Sequence, residues 1–148
     1  MLVHTLQLIY SRDLKKLIAE IQAYQQESNI WKTDQQISNS AGNLCLHLIG
    51  NLNAFIGAEL GKTGYIRNRP LEFTDKDVPR ELLIEKIEET SIVVNTVLGR
   101  LTAAELAADY PLVVFEQKTS TQYMLVHLAT HLAYHLGQIN YHRRLLDM

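Results

Sequence analysis

The sequence predicts an all-α protein, a four-helix bundle with a long crossover between its second and third helices. Four segments repeat apolar residues at three- and four-residue steps, as on the buried face of an amphipathic helix. Little of the chain alternates apolar and polar residues at the period of a strand. One long connection, residues 62–80, has no sustained period. Such a connection favours a crossover, so the helices need not run simply up and down.

The first two helices are predicted in the N-terminal half. Asp13, Lys16 and Glu20 are expected opposite the apolar face of the first helix. That face consists of Leu6, Tyr10, Leu14, Leu17, Ile21 and Tyr24. The string SNSAGN supplies N-cap candidates for the second helix, and Gly61 and Gly64 mark its end. Its apolar positions are Leu44, Leu48, Leu52, Phe55 and Ile56.

The third helix is predicted to begin after the crossover. Asp77 followed by Pro79 is a start signal. The apolar positions that follow are Leu83, Ile87, Val94, Leu98 and Leu101. Thr102 and Glu105 then have the spacing of a capping box, which predicts a short turn or helix.

The fourth helix is predicted to occupy the C-terminal end of the chain. Pro111 interrupts the helical pattern, and LVVF at 112–115 is predicted to be a short extended piece. Residues 119–121 offer caps for a helix that runs nearly to Met148.

Composition and charge narrow the class of protein. The 148 residues fit one domain, residues 1–148, that can bury a substantial core. The 14 Lys and Arg against 16 Asp and Glu include no basic block, so nucleic acid is not expected as a partner. No signal peptide or membrane-spanning run is recognised, and the lone Cys45 cannot form an intramolecular disulfide. A cytoplasmic location is therefore expected.

Histidines are concentrated in the fourth predicted helix. The stretch HLATHLAYHLGQINYH, residues 127–142, holds four of the six in the chain. With about 100° of rotation per residue, a ridge forms within about 40° of His131. Its other members are Met124, His127, His135, Gln138 and His142. This ridge is expected beside the apolar face, with His142 closer to the surface.

A further imidazole, that of His47, is expected to point inward from the second helix, while Cys45 points about 160° away. Two histidines four residues apart present their nitrogens to one point, and a third from another helix completes one face of a metal coordination sphere. Three protein ligands with an open position are typical of a catalytic metal. Spacing alone leaves open whether the pair includes His127, and inward histidines are also often hydrogen-bonded core residues.

Together, SAGNLCLHLIGNL and THLAYHLGQI resemble the DinB/YfiT-like superfamily of metal-dependent enzymes. The resemblance covers most of the chain and implies four helices with a long connection between the second and third. In this superfamily the metal ligands are one histidine on the second helix and an HxxxH pair on the fourth, often followed by GQ. The matching residues are His47, His131 and His135, with Gly137 and Gln138 after the pair. This register leaves His127 out.

The resemblance also implies a chemistry. The expected cofactor is a divalent transition metal, zinc or nickel, and the expected function is a thiol-dependent S-transferase or a hydrolase, often as a homodimer. The partner would be a small-molecule substrate, such as the low-molecular-weight thiols bacillithiol, mycothiol or glutathione. No catalytic side chain is identified beyond the ligands. The alternative is a non-catalytic helical bundle that binds a metal or small molecule.

Several polar residues are candidates to support such a site. Gln138 and Asn51 are on faces that can hydrogen-bond the imidazoles or a bound water, with Tyr134 and Asn43 beside them. In the crossover, Arg67 and Arg69 are candidates to recognise a carboxylate or phosphate, because a guanidinium offers a planar fork of donors.

Overall fold

The computed structural model describes residues 1–148, and its regular secondary structure is helical throughout. The α-helices are α1 (Leu2–Ala23), α2 (Ala41–Leu52), α3 (Arg69–Thr74), α4 (Arg80–Arg100), α5 (Ala103–Ala107) and α6 (Thr121–Leu146). A 3₁₀ turn spans Glu27–Trp31, and α2 continues through a π-helical segment, Asn53–Ala58, into Glu59–Gly61. Two isolated β-bridges occur in loops, and no strand forms. The all-α prediction is confirmed.

Helix α1 packs against α4 and α6. All six predicted apolar positions of the first helix are buried, and the Tyr10 hydroxyl donates a 2.6 Å hydrogen bond to the Leu125 carbonyl of α6. The prediction for Asp13 is wrong, because this residue is only 3% exposed. Its carboxylate accepts a 2.8 Å hydrogen bond from Arg12, and this ion pair offsets part of the cost of burying the charge.

Helix α2 passes through the centre of the fold, against α3, α4 and α6. Its N-cap is Ser40, whose Oγ accepts from the Asn43 backbone N–H at 3.1 Å, as SNSAGN predicted. By length and composition alone, the helix over Ala41–Gly61 would be able to cross a membrane, contrary to the sequence prediction. However, 56% of the most apolar 18-residue window of this helix is buried inside the protein, as in a core helix.

The crossover contains a helix, α3, that the lack of periodicity did not predict. Asn68 caps it by accepting from the Leu71 N–H, and Pro70 occupies its first turn. The Asn43 side-chain amide donates to the carbonyls of Glu72 and Asp75, both at 2.9 Å. These bonds fasten the end of α3 to the start of α2.

The remaining elements follow most of the predicted signals. Helix α4 begins after Pro79, the capping box of Thr102 and Glu105 is present, and Ser120 caps α6. The segment 112–115, predicted to be a short extended piece, is exposed and forms no strand. With no strand beside it, its backbone groups have no ladder to join.

Candidate metal centre

Three histidines from two helices meet at a partly buried position, where His47 is buried and His131 and His135 are half-buried. The Nε2 atom of His131 lies 3.2 Å from that of His47 on α2 and 3.1 Å from that of His135, one turn further along α6. Ring nitrogens of all three lie within 4.8 Å of one another. Two nitrogens bound tetrahedrally to one zinc ion are separated by about 3.3 Å. The observed separations are close to this value, so the group can hold a metal ion.

The surroundings favour neutral imidazoles at this position. Burial lowers the pKa of His47, although the hydrogen bond to Glu72 opposes the shift. Burial, aided by the other histidines, lowers the pKa of His131 to about 4. A neutral imidazole has a free lone pair, which is the form that binds a metal.

Two of the three imidazoles are held by acceptors on the far side of the ring. The Nδ1 of His47 lies 3.1 Å from Oε1 of Glu72, and the Nδ1 of His135 lies 2.7 Å from Oε1 of Gln138. Because carboxylate and amide oxygens accept, each Nδ1 carries the proton and each Nε2 presents a lone pair toward His131. These lone pairs repel unless a proton or cation lies between them, which is consistent with a site for a cation.

Glu72 was not predicted from the sequence. The residue is only 6% exposed. Its carboxylate accepts two hydrogen bonds from the Arg67 guanidinium, one of 2.9 Å from Nε and one of 3.0 Å from Nη2. A Cβ atom built at Gly50 would overlap this carboxylate, so the glycine provides the space for it. Asn68 followed by Pro70 was a helix-start signal that would have revealed α3. Only the packing shows that α3 faces His47.

The family comparison covers nearly the whole chain. The family described as "Protein of unknown function (DUF1572)" matches residues 4–148. The chain belongs to the DUF1572 family. No curated protein matches it. The matched region of this DUF1572 chain includes α3 and all three histidines of the cluster.

The other predicted supporting residues of the DUF1572 chain take different positions. Gln138 contacts a cluster histidine as expected, whereas Asn43 bonds to the end of α3 instead. Asn51 is buried beside the cluster, and its Oδ1 has no hydrogen-bond partner. Tyr134 is exposed, with its ring 5.4 Å from the His135 ring.

The remaining histidines and the cysteine lie outside the cluster. His127 packs at 4.8 Å against the Phe115 ring and is not one of the three convergent residues. The prediction that His142 is near the surface is wrong, because it is 3% exposed. Tyr24 and the Lys32 carbonyl bond to its two nitrogens at 2.6 and 2.9 Å. Cys45 is buried, and burial raises its thiol pKa to about 12.

Two clefts of different chemistry reach the histidine cluster of this DUF1572 protein. The smaller, of about 230 Å³, is lined by His47 and His131 together with Arg67 and Arg69. The larger, of about 520 Å³, has His135 in its wall and no charged side chain among its lining residues. At least one histidine of the cluster therefore lines each of the two clefts.

Proposed function

We propose that this DUF1572 chain is a metal-dependent enzyme with the four-helix arrangement of the DinB/YfiT-like superfamily. In this proposal His47, His131 and His135 hold one divalent transition metal, zinc or nickel. The observation that carries it is the convergence of three Nε2 atoms, two of them from rings whose Nδ1 atoms face fixed acceptors. Such acceptors orient metal-bound imidazoles and raise their basicity.

Three histidine ligands leave coordination positions for a water or a substrate atom. A metal held there lowers the pKa of a bound thiol or water and so supplies a nucleophile near neutral pH. The chain supplies no alternative nucleophile at this point. The Cys45 thiol is fully buried and its pKa is raised, which opposes thiolate formation. The nucleophile therefore has to come from a bound small molecule.

We propose that this small molecule is a low-molecular-weight thiol in an S-transfer reaction, or water in a hydrolysis. The two arginines of the smaller cleft differ in availability. Arg67 is bound to Glu72, whereas the Arg69 guanidinium stacks over Phe73 at 5.3 Å and is exposed. Arg69 is thus the better candidate to recognise a carboxylate on the thiol. A cytoplasmic location and a homodimer stay predictions from the sequence.

The first test is metal content. Wild type and the variants His47→Ala, His131→Ala and His135→Ala are reconstituted with zinc or nickel, desalted and measured by mass spectrometry, with circular dichroism to confirm folding. His127→Ala is the matched control, since it removes the same side chain from the same helix. Near-stoichiometric metal in wild type and in the control, lost in the other three variants, supports the proposal. Metal-free wild type, or loss only in His127→Ala, contradicts it.

The second test separates catalysis from binding alone. A structural metal that cross-links α2 and α6 would be saturated by protein ligands, whereas a catalytic metal exchanges a water or thiol. Cobalt-substituted protein is titrated with glutathione, bacillithiol or mycothiol while its visible spectrum is recorded. A thiolate-to-metal charge-transfer band supports an open position. An unchanged spectrum together with no turnover of thiol or ester substrates favours the non-catalytic alternative.

A further inference from the structure

The larger cleft beside His135 is built from two walls. One wall is a face of α6 on which Tyr134, Gln138, Tyr141 and Leu145 succeed one another at helical spacing. The other wall is the segment 36–39 that precedes α2. At about 520 Å³, the cleft is within the range of about 300–1,000 Å³ that is typical of small-molecule sites.

The lining of this cleft lacks charge. None of its residues is Asp, Glu, Lys or Arg, and its exposed area is mainly apolar. Its two polar side chains nearest the cluster are already engaged, since Gln138 accepts from His135 and His142 bonds to Tyr24. The nearest cation is Arg144, which stacks over the Tyr141 ring at 4.9 Å and is not part of the lining. A charged ligand would lose hydration here without gaining an oppositely charged partner.

The smaller cleft has the opposite character. Arg67 and Arg69 line it, no acidic residue does, and its volume of about 230 Å³ is below the usual range for a complete small-molecule site. It suits one anionic group better than a whole substrate. The two clefts thus differ both in size and in charge, and both include a histidine of the cluster.

We propose that the cleft lined by Tyr134, Tyr141 and His135 binds an uncharged small molecule with an aromatic or other apolar body, which is the second substrate of the enzyme. This inference rests on the proposed function, because only a metal at the cluster makes His135 the reactive end of the cleft. The tyrosines supply broad apolar surfaces against which a flat ring packs. Substrate specificity is therefore assigned to the C-terminal half of α6 and to segment 36–39.

The test uses two fluorescent probes that share one aromatic skeleton. N-phenyl-naphthylamine is uncharged, and anilinonaphthalene sulfonate carries one negative charge. Each is titrated into the full chain as purified, after chelation, and after zinc loading. We expect saturable binding of the uncharged probe at one equivalent. We expect the sulfonate to bind at least about tenfold more weakly at this cleft, because its charge is desolvated without an oppositely charged partner.

Matched tyrosine variants locate the probe. Tyr134→Ala and Tyr141→Ala are expected to weaken binding of the uncharged probe by roughly fivefold to tenfold, since each removes an aromatic contact. Tyr123→Ala is the control, because Tyr123 is similarly exposed on the same helix but outside the cleft. No saturable binding, or equal loss in the Tyr123→Ala control, overturns the proposal. Sulfonate binding that is as tight and depends equally on Tyr141 also overturns it.

Nickel loading distinguishes the failure of this inference from the failure of the metal proposal. An uncharged probe bound beside His135 is expected to be quenched by nickel and not by zinc, which has a filled d shell. If the probe binds in a tyrosine-dependent way but the protein takes up no metal, the proposed ligand cleft is supported and the proposed metal-dependent enzyme is rejected. If the protein takes up metal but does not bind the probe, the proposed ligand cleft is rejected and the proposed metal centre is supported.

Discussion

His47 and Glu72 are joined by a 3.1 Å contact between Nδ1 and Oε1, although they belong to different helices. Arg67 Nη2, which can only donate, lies 3.4 Å from the same nitrogen, but the carboxylate is nearer and accepts, so the proton is on Nδ1. The crossover helix α3 therefore decides which nitrogen of His47 faces the other two histidines.

Replacing Glu72 is expected to weaken metal binding without abolishing it. Glu72→Ala removes the acceptor of the His47 Nδ1–H, and loss of such a partner lowers metal affinity by roughly tenfold to a hundredfold. Glu72→Gln keeps an oxygen acceptor and is expected to lose less. Zinc affinity is measured by competition with a chromophoric chelator. The control is the exposed Glu85→Ala, which should equal wild type. Equal affinities in all four proteins would show that Glu72 does not support the site.

Gly50→Ala is expected to disturb the contact between His47 and Glu72 by displacing the Glu72 carboxylate. The new methyl group would overlap the Glu72 carboxylate, which is held by Arg67 and has little freedom to move. We expect the free energy of unfolding to fall by roughly 1–3 kcal/mol and zinc affinity to fall with it.

The matched control for this change is Gly137→Ala. A Cβ there meets no atom within 4 Å, and removing a helical glycine is expected to raise the free energy of unfolding by about 0.5–1 kcal/mol. Both variants are measured by denaturant unfolding. If Gly50→Ala is as stable as Gly137→Ala, the space behind the carboxylate is not required.

Arg67→Met is expected to destabilise the fold more than Arg69→Met. Arg67 forms a largely buried ion pair, and removing one member leaves the Glu72 carboxylate without its main partner. The expected loss is roughly 2–3 kcal/mol, at the low end for a buried pair because Arg67 retains some contact with water. Arg69 is exposed, and its replacement should cost roughly 0.5 kcal/mol or less. Thermal and urea unfolding provide both values, and equal losses would contradict the assignment.

His142 is expected to make stability depend on pH. Burial lowers its pKa in the folded state, so the unfolded chain binds more protons below the ordinary value of about 6.5. The contribution of neutral His142 is therefore fully present above about pH 6.5 and is lost as the pH falls toward the folded pKa. The groups that face it are the Tyr24 hydroxyl and Lys32. The Lys32 carbonyl accepts a hydrogen bond from the ring and opposes the lowering of this pKa, whereas the Lys32 charge adds to it.

The comparison is between wild type and His142→Gln, which keeps hydrogen-bonding groups but does not titrate. Urea unfolding is measured from about pH 7.5 to about pH 5. We expect wild type to lose stability more steeply than the variant as the pH falls. Parallel curves would mean that other groups cause the dependence.

Much of the fold could be predicted because helical periodicity reports which residues face inward. The apolar positions of α1 and the caps of α2, α5 and α6 followed from such local rules. The inward direction of His47 and the neighbouring positions of His131 and His135 followed in the same way. Periodicity did not reveal α3, because six residues are too few to show a period.

The sequence by itself determined an all-helical chain with histidines on the inner faces of two helices, since both depend on spacing along one helix. Only the tertiary structure decided that Glu72 supports His47 and that Asp13 and His142 are buried. Each of these outcomes depends on a partner that is distant in sequence or on how close two helices approach. Spacing within one helix contains no information about such distances, which is why the contacts of the candidate centre emerged only from packing.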